Sequence, residues 1–449
     1  MKVAEIVVVG GGLAGCEAAW RAGNMGIDVK LYEMKPKSFS PAHKIDGMAE
    51  LVCSNSLRAE SLENASGVLK KEMEFLDSII VEAASKTKVP AGAALAVDRE
   101  KFSKYITEKI TNHRSIEVIR QEVKDLDFSV PTVVATGPLT SEALSEEIIK
   151  VTGTDGLFFY DAISPIIFTD SINMDVAFKG SRYNKGGDDY INLPMTEDEY
   201  YSFIREVKRA DEVEPHSFED TKIFEGCLPI EIMIRRGDDT LAFGPLKPVG
   251  LIDPLTDKRP FAVVQLRQEN TEGTLYNMVG FQTRLKIGEQ ERIFKMIPGL
   301  EKAKFARYGS VHRNTFIHSP RLIQPTLELK RKPGLFISGQ LVGVEGYVES
   351  AAMGILAGLN AGLLALGDGP LVPPRSTAIG SLIASITDTK KMDFQPMNIN
   401  FGIFATPPSG VRKRDRKRFL SKRALEDMQA WNEKLDKIIG EQSNINNRD

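Results

Sequence analysis

The chain has 449 residues, a net charge of −3, and 42% hydrophobic and 27% charged residues. This length allows two or three domains of a soluble globular protein. The negative net charge excludes a protein that is basic throughout, so any contact with nucleic acid needs a local positive patch. Three cysteines exclude a disulfide scaffold and indicate a reducing compartment, and we therefore expect a cytoplasmic protein.

The first element is a βαβ unit over residues 3–34, with the strands VAEIVVVG and DVKLYEM and a helix beginning CEAAWRAGN. The turn between them fits G-x-G-x-x-G, which is informative only between a strand and a helix, as here. We expect Gly10 to allow the tight turn, Gly12 to admit a pyrophosphate and Gly15 to let helix and strand pack closely. The alternative, an accidental glycine turn, does not account for this context. The candidate cofactor-binding residues here are Gly10, Gly11, Gly12, Leu13, Ala14 and Gly15.

Glu33 ends the second strand of the unit. Its carboxylate suits a ribose hydroxyl and repels a 2′-phosphate, so NADP is disfavoured at this site. Beyond it, residues 61–86 are predicted to form one amphipathic helix, and a second helix begins after Asp98, a candidate N-cap. The segments IEVIRQEV and TVVATG are predicted strands.

The long middle of the chain is irregular and rich in Gly, Pro, Asp and aromatic residues, which is typical of a domain inserted into a nucleotide-binding domain. We therefore predict an α/β protein: a Rossmann-type FAD-binding domain, a smaller inserted α+β domain and a helical C-terminal tail. The predicted parts are residues 1–139 and 333–369 for the FAD-binding domain, 140–332 for the inserted substrate domain, and 370–449 for a linker and basic helical region.

A second glycine cluster, SGQLVGVEGYVES at residues 338–350, joins a predicted strand to a helix of small residues. Amides at such a helix N-terminus can stabilise negative charge near the N1–O2 edge of a flavin, which favours FAD over NAD. The candidate ligands are Gly339, Gln340, Gly346 and Tyr347. No second G-x-G-x-x-G follows a strand, so a nicotinamide reductant would have to reach the flavin without a Rossmann domain of its own.

The uncharged segment 350–367 has glycines spaced by four, as membrane helix interfaces do. Its length is borderline for a membrane span, and glycine and alanine dominate over leucine and isoleucine. We expect a buried helix that packs closely on a sheet or cofactor.

The three cysteines differ in context. Cys53 lies among polar, turn-forming residues with Arg58 nearby, and a cation can hold a thiolate. Cys227 lies in the bent segment IFEGCLPIE, where the alternative to catalysis is a small buried side chain. Cys16 follows the glycine turn inside the first helix, and we expect it to serve packing.

Residues 411–423, VRKRDRKRFLSKR, carry eight Lys or Arg and one Asp. Such a run is usually a solvated helix face, but its density in a chain of negative net charge favours contact with RNA phosphates. The candidate residues are Arg412, Lys413, Arg414, Arg416, Lys417 and Arg418. The stripe formed by Leu425, Met428, Leu435 and Ile439 is predicted to dock this segment on the body.

Several segments together resemble one family, the bacterial folate- and FAD-dependent tRNA uracil-5-methyltransferases called TrmFO, which are relatives of the larger GidA-type flavoproteins. The segments are GGGLAGCEAAW, LVCSNSLR, VVATGPL, EGCLPIE, RYGSVHRNTFI and GLFISGQLVGVEGYVESAAMG, in this order over residues 10–354. GidA-type proteins carry a longer C-terminal region, so the length of this chain favours the shorter family.

The resemblance implies transfer of a one-carbon unit from methylenetetrahydrofolate to C5 of a T-loop uridine (position 54) of tRNA, with FAD as reductant and NAD(P)H to reduce it again. It implies that Cys227 and Cys53 are catalytic, although which of them attacks the base stays open. It also makes His312, otherwise an ordinary surface or core histidine, a candidate for stacking a pterin ring. We expect no metal site and no membrane contact, and a monomer and a homodimer are both compatible with the sequence.

Three rival functions remain. A GidA-like enzyme would modify the wobble uridine with a GTPase partner. A flavin oxidoreductase would turn over without RNA or folate, and a non-catalytic RNA-binding flavoprotein would tolerate loss of Cys227.

Overall fold

The structure is a computed structural model that describes residues 4–153, 157–184, 187–213, 228–391 and 394–446. The strands are β1 (Glu5–Val9), β2 (Asp28–Glu33), β3 (Ser56–Ala59), β4 (Lys88–Val89), β5 (Ala94–Val97), β6 (Ile116–Arg120), β7 (Thr132–Val134), β8 (Leu157–Ile163), β9 (Ile166–Phe168), β10 (Phe178–Lys179), β11 (Tyr190–Met195), β12 (Ala262–Gln268), β13 (Leu275–Met278), β14 (Phe305–Arg307), β15 (Ser310–Phe316) and β16 (Leu335–Ile337). The helices are α1 (Leu13–Asn24), α2 (Ala65–Phe75), α3 (Ile79–Lys86), α4 (Arg99–Thr111), α5 (Glu142–Thr152), α6 (Glu197–Arg209), α7 (Ile230–Arg236), α8 (Thr240–Phe243), α9 (Ile287–Phe294), α10 (Ser319–Leu322), α11 (Tyr347–Ala365), α12 (Ala378–Ile386) and α13 (Arg416–Asn446).

The first domain is built on a parallel five-stranded sheet in the order β16-β7-β1-β2-β6. Strand β1 lies in the middle, with Val7 opposite Lys30 of β2 and Thr132 of β7. Four strands come from the first 134 residues, and β16 returns after about 200 residues to pair with β7. The predicted α/β architecture is confirmed, and the sheet of the first domain is interrupted in the chain and then completed by β16.

The second domain contains a six-stranded sheet in the order β10-β11-β12-β13-β9-β14, and its neighbouring strands pair antiparallel. Helix α6 packs on it through Tyr200, Phe203, Ile204 and Val207, all buried. A two-stranded antiparallel ribbon, β8 with β15, carries the chain out of the first domain and back.

The two hydrophobic cores indicate where the domains meet. Leu144 and Ile148 of α5 belong to the first core, and so do residues from Phe316 to Leu329. The sequence placed both segments in the inserted domain, residues 140–332. We propose instead that the second domain begins and ends at the β8–β15 ribbon.

The predicted single helix over residues 61–86 is wrong, because two helices, α2 and α3, occupy this segment. Asp77 interrupts them with a φ of 56°, and the Ser78 hydroxyl then accepts a hydrogen bond from the Val81 amide at 3.1 Å. The break is stabilised by α1, since Trp20 donates to the Asp77 carbonyl at 3.0 Å. The predicted cap of α4 is confirmed, with the Asp98 carboxylate accepting from the Lys101 amide at 3.1 Å.

Helix α11 is the apolar segment that raised the question of a membrane span. It passes the length and composition test for one, but 89% of its apolar window is buried inside the protein. Gly354 and Gly358 lie against the backbone of Ala14 and Ala18 in α1, so a Cβ at either glycine would overlap it. The prediction of a closely packed, buried helix is confirmed.

The C-terminal region folds back on the first domain. Helix α13 buries Leu420, Ala424, Met428 and Leu435 in the first core and contacts α2. Helix α12 is held by Glu72 of α2, whose carboxylate accepts from the amides of Ala378 at 2.6 Å and Ile379 at 2.9 Å. The predicted docking stripe is confirmed in part, with Leu425 and Ile439 only half-buried.

Candidate active site

A cavity of about 340 Å³ opens at the carboxyl ends of the first-domain strands. Its walls come from residues 9–14 after β1, 32–35 after β2, 135–141 after β7 and the segment around Gly346. The loop that holds Cys53 closes one side. Crevices at the carboxyl ends of parallel strands are where such folds bind ligands.

The turn from β1 into α1 has the geometry that its glycines predict. Gly10 has a φ of 102°, and a Cβ on it would lie 2.8 Å from the Ala135 carbonyl oxygen. A Cβ on Gly15 would overlap the Gly10 carbonyl, so glycine is required for the turn and helix to pack. Gly12 is the N-cap of α1 and supplies no side-chain cap. The amides of this helix start are therefore directed to the cavity, which residues 10–14 line.

Glu33 lies beneath the same turn. One of its carboxylate oxygens accepts from the Gly11 amide at 2.8 Å, and the other accepts from the Lys35 amide at 2.8 Å. Glu33 also lines the cavity. The carboxylate thus stabilises the glycine turn directly, in addition to the ribose contact predicted for it.

The second glycine cluster reaches the cavity from the opposite side. Gly339 and Gly346 have φ values of 70° and 118°, and Gly346 is the N-cap of α11, again without a side-chain cap. Gln340 donates to the Glu345 carboxylate at 2.6 Å. Two helix N-termini without side-chain caps therefore share one cavity, and such termini favour anionic groups. These residues fit a dinucleotide with a charged pyrophosphate.

Tyr347 does not direct its hydroxyl to open space. The hydroxyl oxygen accepts from the Cys53 amide at 2.8 Å and from the Ser54 amide at 3.2 Å. It also lies 2.9 Å from the Cys53 sulfur. Burial raises the pKa of Tyr347 well above its usual value, so the phenol stays protonated. Because two amides occupy its lone pairs, the hydroxyl proton is left to donate to the Cys53 sulfur.

The two other cysteines are placed very differently. Cys16 is fully buried in α1, and burial strongly raises the pKa of its thiol, which excludes it as a thiolate at neutral pH. Cys227 lies outside the described residues. Arg58, which the sequence placed near Cys53, forms an ion pair with buried Glu349 at 3.4 Å.

Three arginines around Cys53 were not predicted from the sequence: Arg99, Arg267 and Arg307. They lie 46 to 254 positions away from Cys53 in the chain, so no local pattern links them to it. Arg267 donates to the Asn55 side-chain oxygen at 2.9 Å and to the Ser54 hydroxyl at 2.8 Å. The packing of the second domain on the first brings Arg267 and Arg307 to the Cys53 loop, whereas Arg99 comes from α4 of the first domain.

The family assignment follows from comparison with known proteins. A sequence model of the family described as glucose inhibited division protein A, GIDA, matches residues 5–369. A curated relative from Citrifermentans bemidjiense, named methylenetetrahydrofolate--tRNA-(uracil-5-)-methyltransferase TrmFO, is 56% identical over 95% of this chain and 98% of its own. A relative of the same name from Natranaerobius thermophilus is 54% identical over 96% and 99%. The chain belongs to the TrmFO branch of the GidA family.

The fold of this TrmFO-family chain agrees with that assignment. A solved structure of Aquifex aeolicus GidA superposes with a TM-score of 0.71 at 19% identity, over 99% of this chain and 75% of the GidA chain. At this identity the likeness concerns the fold alone. The GidA chain extends beyond the shared part, whereas the TrmFO relatives are matched almost end to end.

The remaining predicted residues of this TrmFO-family chain are His312 and the basic segment near the C-terminus. His312 is in β15, opposite Asp161 of β8 in the ribbon between the domains. The basic segment forms a short 3-10 helix, Lys413–Asp415, and the start of α13. Its six candidate side chains are all exposed. In the described part of the chain, no group of three His, Cys, Asp or Glu is arranged to hold a metal ion.

Proposed function

We propose that this protein methylates C5 of the T-loop uridine (position 54) of tRNA, forming 5-methyluridine. Methylenetetrahydrofolate is the carbon donor and FADH2, re-reduced by NAD(P)H, is the reductant. The observation that carries the proposal is the identity of 54–56% to TrmFO relatives over almost the whole chain. The cavity with two helix N-termini and a cysteine in its wall supports it.

The chain's own groups bind and orient the cofactor. The amides at the start of α1, residues 12–15, would hold the pyrophosphate, Glu33 the ribose, and the segment from Gly339 through Tyr347 the flavin ring. Bound FAD supplies the electrons that turn a transferred methylene group into a methyl group. The side chain of Tyr347 acts elsewhere, since its hydroxyl holds Cys53.

Two thiols have separate tasks in this proposal. C5 of uracil is a poor nucleophile, and a thiolate that adds to C6 makes C5 enolate-like and able to attack an electrophilic methylene. A base must then remove the C5 proton. We assign the attack on C6 to Cys227 and the proton removal to Cys53, and the reverse assignment remains the alternative.

Substrate contacts are assigned to the remaining candidates. His312, with Arg313 and Asn314 beside it, would stack the pterin ring of the folate. The exposed basic segment, residues 412–418, would neutralise tRNA phosphates. A cytoplasmic location follows from the substrate, because tRNA is modified there.

The GidA-like alternative fits less well. This chain matches 98–99% of the TrmFO relatives' length but only 75% of the GidA chain. An RNA-independent flavin oxidoreductase differs from the proposed enzyme in one measurable result: its flavin would be reduced without any label entering the RNA.

The test is anaerobic incubation of the purified protein with unmodified tRNA, NADPH and labelled methylenetetrahydrofolate, followed by mapping of the labelled nucleoside. We expect label in 5-methyluridine of the T-loop. Cys53→Ala and Cys227→Ala should each keep FAD absorbance and lose the label, whereas Cys16→Ala should retain both because that thiol is buried and protonated. Label at the wobble uridine, or flavin reduction without labelled RNA, would contradict the proposal.

A further inference from the structure

Cys53 lies in a loop, residues 51–55, that three arginines clamp from three different elements. Arg99 begins α4 of the first domain, whereas Arg267 in β12 and Arg307 in β14 belong to the second. The hydrogen bonds are Arg99 Nη1 to the Leu51 carbonyl at 2.6 Å, Arg307 Nη1 to the Val52 carbonyl at 2.9 Å, Arg267 Nη2 to the Ser54 hydroxyl at 2.8 Å and Arg267 Nε to the Asn55 Oδ1 at 2.9 Å. The loop therefore depends on both domains for its shape.

The three arginines also place more positive than negative charge in a buried part of the protein. Glu269, next to the end of β12, pairs with Arg99 and leaves two guanidinium charges without a paired carboxylate in the described part of the chain. Burial lowers the pKa of Arg267, and it lowers that of Arg307 to about 10, so both stay charged at neutral pH.

Several N–H groups of this cluster remain without a hydrogen-bond partner among the described residues. They are Nη2 of Arg99 and both Nε and Nη2 of Arg307. Leaving buried charged donors unsatisfied is costly, and replacing them with apolar side chains is often neutral or stabilising. Stability alone therefore does not account for three buried arginines here, whereas stabilisation of a nearby anion does.

We propose that Arg99, Arg267 and Arg307 are positioning residues that hold the Cys53 loop and keep a positive potential at the sulfur, so that Cys53 is presented as a thiolate. The inference rests on the proposed function only for the use of that thiolate. The Tyr347 hydroxyl acts in the same direction, because it lies 2.9 Å from the sulfur and two loop amides occupy its lone pairs, which leaves its proton to donate there. In the described part of the chain, the charged and titratable groups around Cys53 include Tyr347 from α11, Arg99 from α4, Arg267 from β12 and Arg307 from β14, and Glu269 pairs with Arg99.

The test is the pH dependence of Cys53 alkylation in the full-length holoprotein, with iodoacetamide as the probe and peptide mass spectrometry to separate Cys53 from the other cysteines. In Arg307→Gln, we expect the midpoint to move upward by about one pH unit, because a cation near a thiolate has been removed. This is about a tenfold loss of labelling rate below the midpoint. Arg307→Lys keeps the charge and should keep most of the wild-type midpoint.

Glu269→Gln is a control for which we expect the alkylation midpoint to shift in the opposite direction from that of Arg307→Gln. It removes the carboxylate that partly neutralises the cluster, so the midpoint should move downward. A purely structural role for these residues predicts no such opposed shifts. Arg205→Gln, on the exposed face of α6, should leave the midpoint unchanged. Retained FAD absorbance and cooperative thermal unfolding establish that each variant is folded.

The proposal is overturned if folded Arg307→Gln and Glu269→Gln shift the midpoint in the same direction or not at all. It is also overturned if Arg307→Lys behaves like Arg307→Gln. The alkylation assay needs neither tRNA nor folate. Opposed shifts without any labelled 5-methyluridine in the wild type would therefore reject the proposed function and leave this inference standing.

Discussion

At the scale of single residues, the Tyr347 hydroxyl is the group that ties the cavity wall to the start of α11. Tyr347 and Cys53 lie 294 positions apart in the chain, yet they share a hydrogen bond. The sequence assigned Tyr347 to the cofactor because it follows the second glycine cluster. The structure adds a different task for its side chain, namely the support of two loop amides and one sulfur.

Tyr347→Phe should therefore weaken both the fold and the reaction. The substitution leaves the amides of Cys53 and Ser54 without an acceptor, which costs about 1–3 kcal/mol when such groups are buried. Urea unfolding measures the loss of stability, and tRNA methylation measures the loss of activity. Tyr201→Phe removes an exposed hydroxyl bonded to Asp239 and should cost less than about 0.5 kcal/mol. Equal stability of the two variants would contradict this account of Tyr347.

At the scale of secondary-structure elements, the contact between α1 and α11 controls the cofactor side of the fold. The small residues along α11 let its backbone approach that of α1, and the N-termini of both helices open on the cavity. The glycines of α11 are spaced by four residues, as in membrane helix pairs, but here this spacing allows two buried helices of one domain to pack closely. The position of the two N-termini depends on this close approach.

Gly354→Ala should destabilise the protein because the new methyl group would overlap the Ala14 carbonyl, and the two backbones must separate. Overpacking of this kind costs about 1–3 kcal/mol, and FAD affinity should fall with it. Gly440→Ala, where nothing lies within 4 Å in α13, should instead stabilise by roughly 0.5–1 kcal/mol. Thermal unfolding and FAD titration measure both effects, and a neutral Gly354→Ala would show that the helices can separate at little cost.

A second link between elements joins α2 to α12 through the Glu72 carboxyl group. It accepts from the first two amides of α12. Burial raises the pKa of Glu72 to about 8, from a usual value near 4.5. The folded state therefore binds this proton more tightly than the unfolded state does.

Glu72 should make the protein less stable as the pH rises. The contribution of Glu72 to the free energy of unfolding is largest below about pH 4.5. It declines as the pH increases to about 8, because the unfolded state loses the proton first. Glu72→Gln cannot ionise, so the slope of unfolding free energy against pH should become flatter between pH 5 and 8. The exposed Glu426→Gln should keep the wild-type slope. Urea unfolding at several pH values is the measurement, and identical slopes for all three proteins would contradict the prediction.

At the scale of the whole molecule, a chain of negative net charge concentrates positive charge at one end. Asp415 pairs with Arg412 at 2.7 Å and lies 3.8 Å from Arg414. Arg416 and Lys417 are exposed at the start of α13, which the docking stripe holds on the first domain. The charge is thus presented at the start of a helix that packs on the first domain, an arrangement that suits phosphates of a large RNA.

The paired substitution Arg416→Gln with Lys417→Gln should reduce the salt dependence of tRNA binding. Each lost phosphate contact lowers the slope of log K against log salt by about 0.7–0.9. Lys104→Gln with Lys302→Gln removes the same charge from exposed positions elsewhere and should leave the slope nearly unchanged. Filter binding at several salt concentrations measures the slope for each paired variant. Equal slopes for the two paired variants would mean that the basic segment does not contact RNA.

Much of this protein follows from local sequence patterns. Hydrophobic periodicity and glycine spacing predict the βαβ unit, the glycine turn and the buried helix α11, because each depends on neighbours within a few residues. The break between α2 and α3 could not be predicted, since Trp20 of α1 stabilises it from a distant part of the chain. Propensity alone favours a continuous helix there.

The sequence by itself determined the α/β fold, and it predicted a dinucleotide site at the glycine turn and a functional Cys53, because short motifs and hydrophobic periodicity encode these features. Only the tertiary structure decided what surrounds that cysteine. Tyr347 arrives from α11, and Arg267 and Arg307 arrive from the second domain. Contacts between residues far apart in the chain leave no local pattern, because they depend on how two separately formed sheets pack together.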